Sequence, residues 1–205
     1  MTRMFIDHLR RYIKLLRVPE NFLLPWVALG AACLVAMTVG ATTKDSPSPR
    51  DQLAVWAGHW KIRIETKETQ FGHVRTDYFD AKCAFLPHGG FMFCDYLSLQ
   101  PNAKTGRILD DISLIYYSDV DKTFKYTNVA PEGGPSENSM QVDGNVWTRP
   151  FEIQMRSGGA ANAREIYDFA SPNKHLARLE ISIDKGAHWT VVNEAIGTRE
   201  PEPEG

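Results

Sequence analysis

Two cysteines flank a proline and glycine turn in the segment CAFLPHGGFMFC, and their spacing suits disulfide chemistry. Cys83 and Cys94 lie equally far from the centre of this turn, so an antiparallel hairpin centred there pairs them. A four-residue loop at 87–90 is predicted, because a two-residue loop would require a backbone N–H from Pro87. The cysteines then face each other at a non-hydrogen-bonded position, with Cα atoms about 4.5 Å apart. The spacing predicts a Cys83–Cys94 disulfide, with two reduced core cysteines as the alternative.

The sequence contains no established catalytic or metal-binding motif. The patterns G-x-S-x-G, H-E-x-x-H and the P-loop are absent, and the cysteines and histidines lack the spacing of a metal site. Asp110 and Asp111 are adjacent, but neighbouring residues of a strand point to opposite faces and do not act on one substrate. We therefore predict no catalytic residues and no metal. Acid and base residues dispersed over several strands are the remaining enzymatic alternative.

The first forty residues differ from the rest of the chain. Basic residues precede an uncharged run at 22–41, and a polar, proline-containing linker follows at 42–50. This order is typical of a secretory signal peptide, while about twenty apolar residues would also span a bilayer as a helix. Residues 1–41 are predicted to be a cleaved signal peptide or a retained signal anchor. Both place the remainder of the chain in the periplasm, either soluble or attached to the inner membrane.

The overall composition is that of one globular domain with an extension. The chain has 205 residues, of which 43% are hydrophobic and 23% charged, and its formal net charge is -2. A nucleic-acid partner would require a basic surface that displaces counterions from phosphates. Because the charge is slightly negative, we do not expect a nucleic-acid partner.

Strand signals follow one another from Gly58 to the end of the chain. In the first strand, 58–65, apolar and polar residues alternate, so Trp60, Ile62 and Ile64 share one face. Nowhere does a long helix provide a parallel crossover, so about ten antiparallel strands must close on themselves to protect their edges. We predict an all-β, up-and-down barrel over 51–199 and a disordered tail at 200–205. The further strands are predicted at 74–86, 90–100, 107–118, 122–129, 138–143, 146–156, 163–170, 175–184 and 187–197.

Gly58-His-Trp60 follows a short helical lead-in at 53–56 and precedes Leu86-Pro-His-Gly-Gly-Phe91 between two strands. This order resembles the calycin superfamily, and more specifically a group of bacterial exported lipocalin-like domains of unknown function. The likeness extends over about residues 52–199. It implies a lipocalin-like barrel that encloses a small apolar or amphipathic molecule. It also implies that an arginine near the chain end packs over the tryptophan, and Arg199 is the matching residue.

Strand alternation selects the residues that would line such a barrel. Arg149 shares its face with apolar residues and could bind a ligand carboxylate. Two structural alternatives exist: Pro150 marks a bulge that turns Arg149 outward, or an acidic neighbour satisfies its charge. The predicted ligand-binding residues are Trp60, Ile62, Ile64, Arg149, Phe151, Ile153, Trp189 and Asn193.

Some calycin barrels hold haem through a histidine. In this chain His59 and His188 fall on polar faces, His88 lies in the hairpin loop, and His175 begins a strand beside polar neighbours. None of these positions supports an axial ligand, so no cofactor is predicted.

These features predict an exported envelope protein that binds a small apolar or amphipathic molecule in a β-barrel. The alternative is a structural or interaction protein of the envelope, because the cystine hairpin is apolar on both faces. Whichever of these faces lies outside the barrel would be covered by the lead-in helix, by a second subunit in a homodimer, or by the inner membrane. An enzyme with dispersed acid and base residues is the third interpretation.

Overall fold

The computed structural model describes residues 47–101, 108, 110–130, 134–155 and 158–201. The predicted signal segment at 1–41, most of the linker and residues 202–205 lie outside the described residues. Within the described ranges, no helix is long and apolar enough to cross a membrane.

The described chain is almost entirely β-structure and contains one short helix, α1, at Pro49–Leu53, which continues into a 3-10 turn at Ala54–Trp56. The ten strands are β1 Gly58–Thr66, β2 Arg75–Phe85, β3 Phe91–Ser98, β4 Asp110–Ser118, β5 Thr123–Ala130, β6 Gly134–Asp143, β7 Val146–Gln154, β8 Ala160–Ser171, β9 Lys174–Ser182 and β10 Thr190–Glu200.

The strands form one closed antiparallel barrel in which each strand pairs with its neighbours in the chain and β1 pairs with β10. At this closure Trp60 is opposite Arg199 and Thr66 is opposite Asn193. Closure gives every strand a partner on both sides, which is how an up-and-down meander of this length avoids pairing with other chains. The pairing of β6 with β7 is short and covers three residues of each strand. The predicted fold class is confirmed.

Most predicted strand ends lie within two residues of the observed ones, and the larger differences fall at the starts of β4, β6, β8 and β10 and at the end of β10. Strand β6 begins at Gly134 rather than at 138, because Gly134 and Pro135 pair with the end of β5. The proline and glycine content around 131–135 suggested a longer turn than the chain requires. Strand β10 continues to Glu200, which pairs with His59 and so belongs to the barrel rather than to the tail.

The cystine hairpin has the predicted geometry. The Leu86 amide donates a hydrogen bond to the Phe91 carbonyl oxygen at 2.9 Å, which closes a four-residue loop. Cys83 is opposite Cys94, their Cα atoms are 4.1 Å apart, and the disulfide is present. The predicted disulfide is confirmed.

Helix α1 closes one end of the barrel. Ser48 caps the helix, since its hydroxyl accepts a hydrogen bond from the Asp51 amide and the Asp51 carboxylate accepts one from the Ser48 hydroxyl. Leu53 and Trp56 at the end of this segment are buried in the barrel core. The helix therefore does not cover the outer face of the hairpin, where Phe91 remains 44% exposed.

The core is divided into two clusters along the barrel. The larger one surrounds Trp56 and occupies the end closed by α1, which we call the floor. The second lies where β7 ends and β8 begins, and Phe71 from the β1–β2 connection packs against it. Its buried members are Ala161, Ala163, Ile181 and Val192.

Candidate ligand-binding cavity

A cavity of about 210 Å³ lies inside the barrel, above the floor. Along β1 and β2 its wall is apolar, and Ile62, Ile64 and Phe79 are only partly buried because they face this space. Five of the eight predicted ligand-binding residues line it: Trp60, Ile62, Ile64, Arg149 and Asn193.

Phe151 and Ile153 point inward as predicted but do not line the cavity. They lie on the inward face of β7, opposite Ala163 and Ala161 on β8. Both pack against the second core cluster, so they contribute to the filled part of the interior. Strand alternation identified their direction, whereas the packing that fills this end depends on Phe71 from a distant loop.

The prediction that Trp189 points inward is wrong. Strand β10 contains a bulge between Val191 and Asn193, which places one extra residue opposite β9. A bulge reverses the alternation of the strand residues that precede it, and Trp189 comes directly before the start of β10 at Thr190. The Trp189 ring consequently lies outside the barrel, where the guanidinium of Arg164 stacks over it at 4.0 Å.

Arg149 is the most unusual residue of the lining, because it is a cation that is only 7% exposed. Its Nη2 donates a hydrogen bond to Glu165 Oε2 at 2.8 Å. The pairing of β7 with β8 continues through Pro150, so no bulge turns Arg149 outward. The alternative in which an acidic neighbour satisfies its charge is confirmed.

Aromatic rings complete the surroundings of the guanidinium. Its Cζ lies 4.4 Å from the ring centre of Tyr126 and 4.7 Å from that of Phe151. Burial opposes the charge of Arg149, but the negative charge of Glu165 outweighs it and raises the pKa of Arg149. The guanidinium therefore stays charged inside the barrel.

A network of hydroxyl groups lies on the same side of the cavity. The Tyr167 hydroxyl donates a hydrogen bond to Glu165 Oε2, and the Ser113 hydroxyl donates one to the Tyr126 hydroxyl at 2.8 Å. Burial raises the pKa of Tyr167 and of Tyr126, and it also raises that of Tyr96, which lies next to Tyr126. The three phenols therefore remain neutral hydrogen-bonding groups at physiological pH.

Sequence reasoning did not identify Glu165 or the tyrosines of this network. A signal for Glu165 was nevertheless present, since Arg149 and Glu165 are equally far from Ser157, which opens the Ser157-Gly-Gly turn. Equal distance from a turn predicted the pairing of the two cysteines, and it predicts the pairing of these two residues in the same way. They are opposite each other in the β7–β8 register. The contact of Tyr126 with Arg149 has no such signal, because it joins β5 to β7, which are not neighbours in the sheet.

The floor contains the predicted arginine and tryptophan contact. Arg199 lies over the Trp60 ring with its Cζ 4.5 Å from the ring centre, and its Nη2 donates to the Val55 carbonyl oxygen at 3.0 Å. The arginine thus links the last strand to the first strand and to the 3-10 turn. The predicted cation-π contact is confirmed.

His175 is also part of the floor. The sequence predicted polar surroundings for this histidine, and that prediction was wrong. Its imidazole points inward, is buried, and packs against the rings of Trp60 and Phe169 at 4.8 and 5.3 Å. Its Nδ1 is buried and has no hydrogen-bond partner among the described residues. Burial and the positive charge of Arg199 lower the pKa of His175 from 6.5 to about 4.

Gly197 on β10 is opposite His175, and the absence of a side chain there creates room for the imidazole. A Cβ atom at Gly197 would lie 2.0 Å from His175 Cε1. We expect Gly197→Ala to lower the free energy of unfolding by about 1 to 3 kcal/mol, because the ring must move within a packed floor. Urea denaturation measures this loss. The control is Gly90→Ala, where a Cβ meets nothing within 4 Å; an equal loss in both variants would contradict the role of Gly197.

Three further histidines pair with carboxylates, but none of these pairs lies in the cavity. They are His59 with Asp80, His73 with Glu68 and His188 with Asp184. Among the residues that the structure describes, no group of three or more histidine, cysteine or acidic side chains is arranged to hold a metal ion.

Comparison with known proteins does not identify a family. No protein-family model matches the chain, and no curated protein sequence matches it. The fold is similar to the crystal structure of Rv2717c from M. tuberculosis, at 12% sequence identity and a TM-score of 0.49, over 77% of this chain and 100% of that chain. A likeness at this level assigns neither a family nor a ligand.

Proposed function

We propose that this chain is an exported protein of the bacterial cell envelope that holds a small amphipathic molecule inside its barrel. The observation that carries the proposal is the cavity, which has an apolar wall around Ile62 and Ile64 and a polar cluster around Arg149. A concave, mainly apolar space with a few convergent polar groups is the usual form of a small-molecule site.

The size of the cavity limits the size of its ligand. Sites for drug-sized molecules measure about 300 to 1,000 Å³, and an engineered cavity of about 150 Å³ accommodates benzene. A space of about 210 Å³ therefore suits a molecule of one ring with short substituents rather than a long acyl chain.

Two features support the exported location. Basic residues precede the apolar run at 22–41, in the order that directs secretion. The barrel contains a disulfide between Cys83 and Cys94, and such bonds persist mainly in oxidising compartments. A cleaved signal and a retained inner-membrane anchor both agree with these features.

We also infer a relationship to the calycin superfamily. It is supported by the Gly58-x-Trp60 opening of β1, by the closed meander and by the packing of Arg199 over Trp60. The relationship agrees with a binding role but is not needed for it.

Native mass spectrometry of the protein purified from its own envelope tests the proposal. We expect a co-purifying small molecule in the wild type and its loss in Ala195→Phe, which fills the cavity. Ala177→Leu fills the same space less drastically and serves if Ala195→Phe does not fold. The matched control is Ile196→Phe, whose side chain points outward from the same strand and which should retain the molecule. Absence of any bound molecule in the wild type, or its retention in a folded cavity-filled variant, would count against the binding role.

One observation favours a second function. Leu86 and Phe91 on the outer face of the hairpin are 37% and 44% exposed, and the ring of Phe91 lies 5.1 Å from that of Tyr116 on the next strand. This aromatic surface would suit an interaction protein of the envelope, covered by a second copy or by the inner membrane. A homodimer without bound small molecule in the same mass spectra would favour this function over the first.

A further inference from the structure

We infer that the molecule held in the barrel is uncharged and that its polar group both donates and accepts hydrogen bonds. This inference rests on the proposed binding function and names the chemical class of the ligand. It differs from the carboxylate ligand that the position of Arg149 suggested, because the structure places a counter-charge beside that residue.

The first reason is that the cavity already contains the partner of its buried cation. Glu165 lies 2.8 Å from Arg149, and Asp111 is a further carboxylate on the lining. An anionic ligand that approached Arg149 would meet the charge of Glu165 in a partly buried site, where charges are screened less than in bulk water. The cost of placing two carboxylates together would offset the attraction of the guanidinium.

A cationic ligand meets the opposite difficulty. The positive charge of Arg149 would repel it, and Glu165 already carries a hydrogen bond from the guanidinium. The ring of Tyr126, which lies on the cavity lining, is already in contact with the guanidinium. A cation that used this ring would have to displace Arg149 from it.

The hydrogen bonds that remain open define the polar group. Glu165 Oε2 accepts hydrogen bonds from Arg149 and Tyr167, whereas Oε1 accepts none from the described residues. The guanidinium donates only through Nη2 within the same described part of the chain, which leaves the N–H groups of Nη1 without a partner there. The Glu165 side chain is 26% exposed, so the pair is not sealed from the cavity. An acceptor and a donor therefore lie side by side, which suits an amide or a hydroxyl group.

Three probes of nearly equal size separate the charge states: benzamide is neutral, benzoate is anionic and benzamidinium is cationic. Their affinities for the wild-type protein can be measured at neutral pH by isothermal titration calorimetry or by chemical shift changes in NMR. We expect benzamide to bind at least tenfold more tightly than either charged probe. We also expect it to bind more tightly than toluene, which has the ring without the polar group.

The outcomes distinguish this inference from the function on which it rests. Tighter binding of benzoate or benzamidinium than of benzamide would overturn the uncharged ligand while leaving the binding function intact. Equal affinities for toluene and benzamide would overturn the hydrogen-bonding group. Failure of all four probes to bind would count against the binding function itself.

Variants of the ion pair provide an independent check. Glu165→Gln removes the counter-charge, and we expect the ratio of benzoate to benzamide affinity to rise at least tenfold. The control is Glu152→Gln, an exposed position on the outer face of β7, where the ratio should not change. If Glu165→Gln does not fold, Arg149→Gln should instead raise the ratio of benzamidinium to benzamide affinity. An unchanged ratio in a folded variant would contradict the assignment of the pair to the ligand site.

Discussion

Replacing Glu165 with leucine is expected to lower the free energy of unfolding by about 3 to 5 kcal/mol. The substitution leaves the charge of Arg149 buried without a partner, since Glu165 is the carboxylate bonded to its guanidinium. Removing one member of a buried ion pair costs far more than the pair itself contributes, because the remaining charge stays desolvated. Urea denaturation followed by tryptophan fluorescence measures the loss.

A double variant separates the lost pairing from the changed packing. Arg149→Met combined with Glu165→Leu removes both charges and should recover most of the stability that the single substitution loses. Glu65→Leu is the exposed control, because Glu65 and its partner Arg63 are both about half exposed. It should change the stability by less than about 1 kcal/mol. A loss below about 1 kcal/mol in Glu165→Leu as well would show that the cavity is well hydrated around Arg149.

Acidification is expected to destabilise the barrel through His175. The pKa of this histidine is about 4 in the folded protein, below the ordinary value of 6.5, because the ring is buried and Arg199 is close. The unfolded chain therefore binds the proton more readily than the folded one. The contribution of neutral His175 to the free energy of unfolding is fully present above about pH 6.5 and is lost as the pH falls towards 4. Between pH 8 and pH 5 the expected loss from this group is about 2 kcal/mol.

Urea denaturation at several pH values tests this dependence. In His175→Gln the stability should change little between pH 8 and pH 5, even if its value is lower throughout. His188→Gln is the control, since that ring is exposed on the β9–β10 connection and should leave the slope unchanged. Measurements should stop near pH 5, because Asp80 and Glu180 have lowered pKa values and destabilise the fold as they take up protons at lower pH. An equal slope in His175→Gln and the wild type would contradict the assignment.

The elements that were predictable from sequence depend on neighbours along the chain. The cystine hairpin followed from the symmetry of two cysteines about a turn and from the missing N–H of Pro87. The inward direction of Trp60, Ile62 and Arg149 followed from alternation within single strands. The contact of Arg199 with Trp60 followed from a resemblance in the order of motifs, and the structure contains it.

The errors occur where a distant strand decides the outcome. The bulge at 191–193 arises from the pairing of β10 with β9 and turns Trp189 outward, although the local sequence alternates normally. His175 belongs to the floor because β9 begins opposite Gly197 on β10, and no residue near it in the chain indicates this. Helix α1 closes the floor rather than covering the hairpin because Trp56 packs among residues of β7 and β8.

The sequence alone therefore determined the closed β-barrel, the disulfide and the direction of most lining residues, because turn chemistry and alternation act over a few residues. Only the tertiary structure decided that Glu165 and three tyrosines surround Arg149, that the far end of the interior is filled, and that about 210 Å³ remains open. These properties depend on which side chains of different strands meet inside the barrel. The pairing of the strands around the barrel determines these contacts, and therefore the charges that a ligand would encounter inside.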